Sequence, residues 1–375
     1  MSGSGEAMIS RRVRSFSNSR HERVCIRAGR ALASLVLALV GIVGALGTSQ
    51  PVAAYQSVAP AYTHSWYIDS VDVGAIQSLG QVDGQWDGAG NHCGFGDNSS
   101  QDKIVVLDFG KDLKLYDDNH AYRGYGTQIF TNNSDYLTDD DIAYRVEQYA
   151  AQYFWNSGGP GGCAQTRIAI GTNNSFLCES SLYPCNAYDA GWEWSNVVSN
   201  VNNWLQGQGF SGRIGARAAD DIETFGYTPQ EGFHCAGDTT DFMNGFADNP
   251  GGNATLDFGD AITSSGCWTL DQVRYVTTGR PNFYGLPEVY NACQLGHYTD
   301  GCAGYAGVES ATGAIELKGQ MTECGQADVV PQYDCGSSDY GPRQSWEALW
   351  AKQQLYFGPG GQPSGMPFST NIKRQ

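Results

Sequence analysis

The strongest constraint on the fold is an alternation, over most of the chain, of short apolar runs with stretches of helical periodicity. Eight runs read as strands: "WYIDSVD", "KIVVLDFG", "TRIAIGTNN", "GRIGARAADDIE", "ATLDFGD", "VRYVTTG", "LPEVYN" and "AIELKGQMT". In "LTDDDIAYRVEQYAAQYFWNSGG", Thr138 is placed to cap a helix, Asp139, Asp140 and Asp141 serve as first-turn capping charges, and Ile142, Val146, Tyr149, Tyr153 and Phe154 share one face. "WEWSNVVSNVNNWLQGQGF" repeats the pattern through Trp194, Val197, Val198, Val201 and Leu205, and "QSWEALWAKQQLYFG" predicts a closing helix. Strands and helices in this number and order predict an α/β fold, a distorted, disulfide-bonded (β/α)8 TIM-type barrel, with an open doubly wound sheet as the alternative. With neither repeats nor low-complexity linkers, residues 55–375 are expected to form a single domain.

The first 54 residues do not fit that pattern. Arg11, Arg12, Arg14, Arg20, Arg23, Arg27 and Arg30 precede the apolar run "ALASLVLALVGIVGAL" and the small-residue "VAA" ending at Ala54. This is the layout of a secretory signal peptide, cleaved near Ala54. The apolar run is short for a membrane span, and no later segment approaches ~20 apolar residues. The expected product is secreted and extracellular, free of the membrane after cleavage, and a monomer.

Export changes the charge balance. The leader holds seven of the 22 Lys and Arg residues but only two of the 39 acids, which leaves 15 bases, 37 acids and a formal charge of −22. Such a surface repels phosphate backbones and excludes nucleic acid as a partner. Of 11 cysteines, Cys25 lies in the leader, and the other ten (Cys93, Cys163, Cys178, Cys185, Cys235, Cys267, Cys293, Cys302, Cys324 and Cys335) read as up to five disulfides in an exported chain. No C-x-x-C occurs and the histidines are scattered, so neither a metal nor another cofactor is expected.

The fourth run ends in acid. On a barrel strand alternate side chains face the helices and the axis. Ile214, Ala216, Ala218 and Ile222 form the outward set, so Arg217, Asp221 and Glu223 are expected to point inward, at the C-terminal mouth where barrel enzymes build their sites. Carboxylates at i and i+2 lie about 7 Å apart at Cα, and close carboxylates resist ionising together. Glycosidic hydrolysis needs that division between a proton donor and an anionic partner. Glu223 is therefore the candidate general acid, Asp221 its partner, and Asp108, after "IVVL", a third catalytic candidate. The structural alternative pairs Asp221 with Arg217 and makes Glu223 a loop cap. Substrate-binding candidates are Asn173 at the end of the third strand, Glu288 and Tyr290 on one face of the seventh, and Trp86 in the Gly-rich "QVDGQWDGAGN". Glu288, early in its strand, could instead lie below the mouth and pair with Arg217 or Lys318.

The "DDIE" closing the fourth strand resembles the Asp-x-Glu of muramidase-type and chitinase-type glycoside hydrolases, both of (β/α)8-type fold. The chitinase pattern expects aspartates where Ala216 and Ala219 stand; the muramidase pattern fits better, with Asp69 or Asp72 as its first-strand aspartate. The resemblance implies a secreted enzyme that hydrolyses a polysaccharide or cell-wall glycan. A non-catalytic carbohydrate-binding or cell-surface protein is the alternative. No G-x-S-x-G, H-E-x-x-H or G-x-x-x-x-G-K-[ST] occurs, and "DGQWDGAGNHCGFGDN" lacks EF-hand spacing and reads as a disulfide-tied acidic loop.

Overall fold

"KIVVLDFG" forms strand β2 (Lys103–Tyr116), and its side chains sort strictly by parity. Val105, Leu107 and Phe109 enter the outer core beneath the helices, whereas Ile104 and Val106 enter the interior cluster with Ala169, Ala219, Leu256, Phe258, Leu286, Met321, Phe368 and Ile372. Burial of both faces is why the run is almost continuously apolar. The computed structural model describes residues 59–88, 103–117, 119–130, 135–174, 186–224, 236–259, 268–292, 295, 312–324, 340–357 and 365–375.

Among these are eight parallel strands in chain order around a barrel. They are β1 (Thr63–Tyr67), β2, β5 (Thr166–Asn173), β6 (Ile214–Asp221), β7 (Thr255–Asp257), β8 (Phe283–Gly285), β9 (Gly319–Thr322) and β10 (Phe368–Arg374). Ladders join each strand to the next from β1 to β8, β9 to β10, and β10 back to β1. The remaining seam, β8 to β9, is held by the bridges Gly285↔Leu317 and Glu288↔Met321, so the barrel is nearly closed. Beyond its barrel portion, β2 continues into an antiparallel ribbon with β3 (Tyr122–Gln128) and β4 (Tyr136–Thr138), an elaboration that the strand count did not foresee.

Among the described residues six α-helices surround the strands: α1 (Val73–Gly88), α2 (Asp139–Asn156), α3 (Ala187–Gly207), α4 (Ala236–Asp248), α5 (Leu270–Thr278) and α6 (Pro342–Phe357). Thr138 caps α2 in a reciprocal box with Asp141, as its sequence suggests. Helix α1 is less obvious, because glycine disfavours helix by ~1 kcal/mol and α1 contains Gly74, Gly80, Gly84 and Gly88. The last three lie against the backbone of α2: a Cβ on Gly84 would stand 2.7 Å from the Tyr153 carbonyl oxygen, and one on Gly80 would collide with that of Tyr149. Close approach also brings α1 carboxylates to α2 hydroxyls. Tyr149 donates to Asp83 at 2.6 Å and Tyr153 to Asp87 at 2.5 Å, while Lys103 meets Asp87 from the start of β2.

Four strand assignments are corrected. "VRYVTTG" belongs to α5: its β-branched residues suit a strand, but Thr269 and Gln272 form a capping box and Val273, Val276 and Thr277 bury one helical face. Strand β8 lies just before "LPEVYN", which contributes the following bridge at Glu288. The eighth strand is the C-terminal β10, whose polar Ser369, Thr370 and Asn371 hide it from a hydrophobicity reading. These side chains are buried and bonded to Gln320, Ser65 and Thr322 respectively. "WYIDSVD" is displaced as well, since β1 ends at Tyr67 and the chain then leaves the barrel for α1. Cys163 and Cys324 are disulfide-bonded; the other eight cysteines of residues 55–375 lie outside the described residues, as does the leader. No helix among the described residues is long and apolar enough to cross a membrane.

Candidate active site

Strand β6 keeps the expected parity: Ile214, Ala218 and Ile222 join the outer core, Ala219 the interior cluster. Asp221 is therefore inward at the last position of the strand, 8 % exposed, and abreast of Asn173 on β5. Glu223 follows two residues later. Its main chain is clamped by Asn174, which accepts from the Glu223 N–H at 3.1 Å and donates to the Glu223 carbonyl at 3.2 Å and to Thr239 of α4 at 3.3 Å. A fully buried amide thus positions the loop that carries Glu223.

Glu288 arrives from the segment after β8. One carboxylate oxygen from each of Asp221, Glu223 and Glu288 can be chosen so that all three lie within 4.8 Å of one another. Lys318, one of the partners considered for Glu288, pairs with Glu316 at 2.7 Å, while Glu288 accepts a hydrogen bond from the Tyr67 hydroxyl at 3.3 Å and another from Tyr290. Tyr67, the last residue of β1, packs on the interior cluster. Burial first, and then the charge of Glu288, hold the Tyr67 and Tyr290 hydroxyls well above the ordinary tyrosine range, so both remain donors at neutral pH.

Asp108 continues the inward face of Ile104 and Val106 and pairs in register with Tyr67 on one side and Gly171 on the other. It is 0 % exposed. Its Oδ1 accepts from the Gly110 N–H at 2.8 Å, and its Oδ2 has no hydrogen-bond partner. Burial and then Asp221 push its carboxyl well above the usual range. Arg217 sits four residues before Asp221, about 13 Å along the strand at Cα, with its guanidinium 5.4 Å from the Phe368 ring.

The structure thus gathers Asp108, Asn173, Asp221, Glu223, Glu288 and Tyr290 toward the C-terminal ends of the strands. It leaves Trp86 elsewhere. Trp86 lies on α1 rather than in a loop, half-buried, its ring 5.2 Å from that of His64 near the start of β1, and the neighbouring Asp87 binds the first residue of β2. Residues 83–88 of the expected acidic loop are the last turns of α1, and residues 89–98 lie outside the described residues. Asp72 accepts from the Gly74 N–H at the start of α1, and Asp69 lies near Arg374 at the end of β10, so neither is placed with the three carboxylates. Tyr67 and Asn174 were not singled out from sequence. The doublet Asn173-Asn174 was the available signal, one residue facing the axis and the next free to reach across to β6.

No family model matches the chain, and no curated protein matches it. Among solved structures, the β-1,3-glucanase and allergen CJP38 of Cryptomeria japonica pollen is similar at a TM-score of 0.30 and 11 % identity, over 84 % of this chain and 89 % of that one.

Proposed function

We propose that the chain is an exported glycoside hydrolase acting on an extracellular or cell-wall polysaccharide. The observation that carries this reading is the meeting of Asp221, Glu223 and Glu288, within 4.8 Å at their oxygens, at the mouth of a parallel eight-stranded barrel. In the reaction Glu223 gives its proton to the glycosidic oxygen as the bond to the anomeric carbon breaks, and the bonding electrons leave with that oxygen. Asp221, ionised, meets the positive charge that develops on the anomeric carbon; a water that gives its proton to the Glu223 carboxylate then adds to that carbon, which completes the hydrolysis and restores the acid. Glu288, fixed by Tyr67 and Tyr290, supports the pair from the β8–β9 side of the mouth.

The ten cysteines and the basic, apolar leader support export, with cleavage near Ala54. Peptidoglycan glycan strands are the first substrate to try, because the Asp-x-Glu resembles the muramidase pattern. Release of reducing ends from a polysaccharide panel, run on wild type and Glu223→Gln together, is the test. The variant is expected to lose ~10²-fold or more in turnover with binding and folding intact. Equal release by both proteins would refute the assignment of Glu223. Glycan binding with no release by wild type would instead establish the non-catalytic alternative.

A further inference from the structure

We propose that Asp221, Glu223 and Glu288 form a binding site for a hard divalent cation of the calcium type, seated over Asp108 at the barrel mouth. The donor set is all oxygen, which suits Ca²⁺ or Mg²⁺ rather than a thiolate- or imidazole-seeking metal. Tolerance favours calcium, which accepts six to eight oxygens at about 2.3–2.6 Å in irregular geometry, where Mg²⁺ demands a near-ideal octahedron. One oxygen from each of the three carboxylates lies within 4.8 Å of the other two, close enough for small side-chain adjustments to bring all three onto one such ion.

A cluster of acids is common on protein surfaces, but two of these three are buried and Glu223 is half-buried. Asp221 is 8 % exposed and Glu288 5 %. Their supports are also fixed before any ion arrives: Asn174 clamps the backbone of Glu223 from both sides, and the Tyr67 hydroxyl holds Glu288 at 3.3 Å. Ligands held in place in this way lose little freedom on binding.

The independent observation is Asp108, which belongs to a different strand. It is 0 % exposed, it lies on the inward face that Ile104 and Val106 define, and its Oδ2 has no hydrogen-bond partner. In register it stands level with Ala219, one inward position below Asp221 on the mouth axis. A buried carboxylate oxygen without a donor is costly. A cation above it, reached directly or through one bound water, removes that cost. Sequence spacing gave no hint of the site because Asp221 and Glu223 stand at the end of β6 and Glu288 65 residues beyond Glu223, so that, unlike an EF-hand, the ligands share no loop.

If the same carboxylates are the hydrolytic ones, as proposed above, the cation and the catalytic proton compete for them, and calcium inhibits. Binding itself does not depend on that reading and is measured without substrate. The full chain, freed of metal with a chelator, is titrated with CaCl2 by calorimetry, and thermal melts are compared with and without about 5 mM Ca²⁺. The expected result is one Ca²⁺ per chain with Kd near 10⁻⁴–10⁻³ M, the range of extracellular calcium modules, and a higher melting temperature. Glu288→Gln is expected to weaken binding tenfold or more, while Glu316→Gln, in the exposed pair with Lys318, leaves it unchanged.

Should Glu288→Gln fail to fold, Tb³⁺ replaces calcium on wild type. Emission sensitised by Tyr67 and Tyr290, which touch Glu288, and reversed by Ca²⁺ supports the site, and its absence overturns it. No heat and no melting shift, or equal shifts in wild type and Glu288→Gln, also overturn the proposal. A chain that binds calcium but cleaves no glycan sinks only the hydrolase reading. One that cleaves but binds no calcium sinks only this one.

Discussion

Asp112 offers a stringent test of the electrostatics, at a position away from the three mouth carboxylates. It lies on the part of β2 that runs out into the ribbon, is 1 % exposed, and faces Asp139 at the start of α2. Tyr125, itself pushed up to about 12 chiefly by burial, and Asp220 are its other titratable neighbours. Burial first, and then the charge of Asp139, hold the Asp112 carboxyl well above the usual range. Because the folded state keeps a proton that the unfolded chain loses near pH 4, stability is highest at low pH and falls as pH rises toward the folded value. One such group costs up to about 1.4 kcal/mol per pH unit over the interval between the unfolded and folded values. Asp112→Asn removes the proton exchange and keeps the shape. The variant should match wild type at pH 4 and gain on it by up to about 1.4 kcal/mol per pH unit thereafter. Urea unfolding of both proteins with disulfides intact, in chelator, at four pH values from 4 to 7 measures the difference. Parallel stability curves would show that Asp112 ionises normally in the folded state, and the reasoning from burial would fail.

Asp139 is raised to about 7, by burial and then by Glu193 and Asp140; Asp139→Asn should stabilise the chain at pH 8 and do so much less at pH 5, by about 2 kcal/mol once its partial exposure is discounted, as read from melts at the two pH values. Gly80→Ala sets helix propensity against packing: propensity alone predicts a gain of up to ~1 kcal/mol, whereas the collision with the Tyr149 carbonyl predicts a net loss of ~1–3 kcal/mol, and Gly74→Ala, whose Cβ would stand 3.4 Å from Asp72, is the control expected to show little or no loss. Thr138→Ala breaks the capping box of α2 and should cost ~1 kcal/mol in urea unfolding, with no change in the pH dependence assigned to Asp112.

The candidate site was partly legible. The parity of "GRIGARAADDIE" places Asp221 on the axis because a strand's side chains alternate whatever surrounds it, and the same rule puts Asp108 and Asn173 on the inward face of their strands. Trp86 was misplaced because a Gly-rich, Asp-rich segment has the composition of a loop. Its glycines instead serve contact with α2, a fact about a partner 60 to 70 residues away that no local window contains.

What the sequence by itself determined is the periodicity: period-2 strands with apolar outward faces, helices with one buried stripe, and hence a barrel with acids at the end of its fourth strand. Periodicity is a property of the local chain, set by backbone geometry, and it can be read locally. The tertiary structure decided what depends on two distant segments meeting. It brought Glu288 to Asp221 and Glu223, set Tyr67 to hold Glu288 and Asn174 to hold Glu223, turned "VRYVTT" into helix against its β propensity, and made a strand of the polar "FSTNIKR". In each case the energy lies in a contact rather than in a residue: a hydrogen bond to a buried serine, a carbonyl against a glycine, a carboxylate beside another carboxylate. Such terms exist only once the barrel has closed.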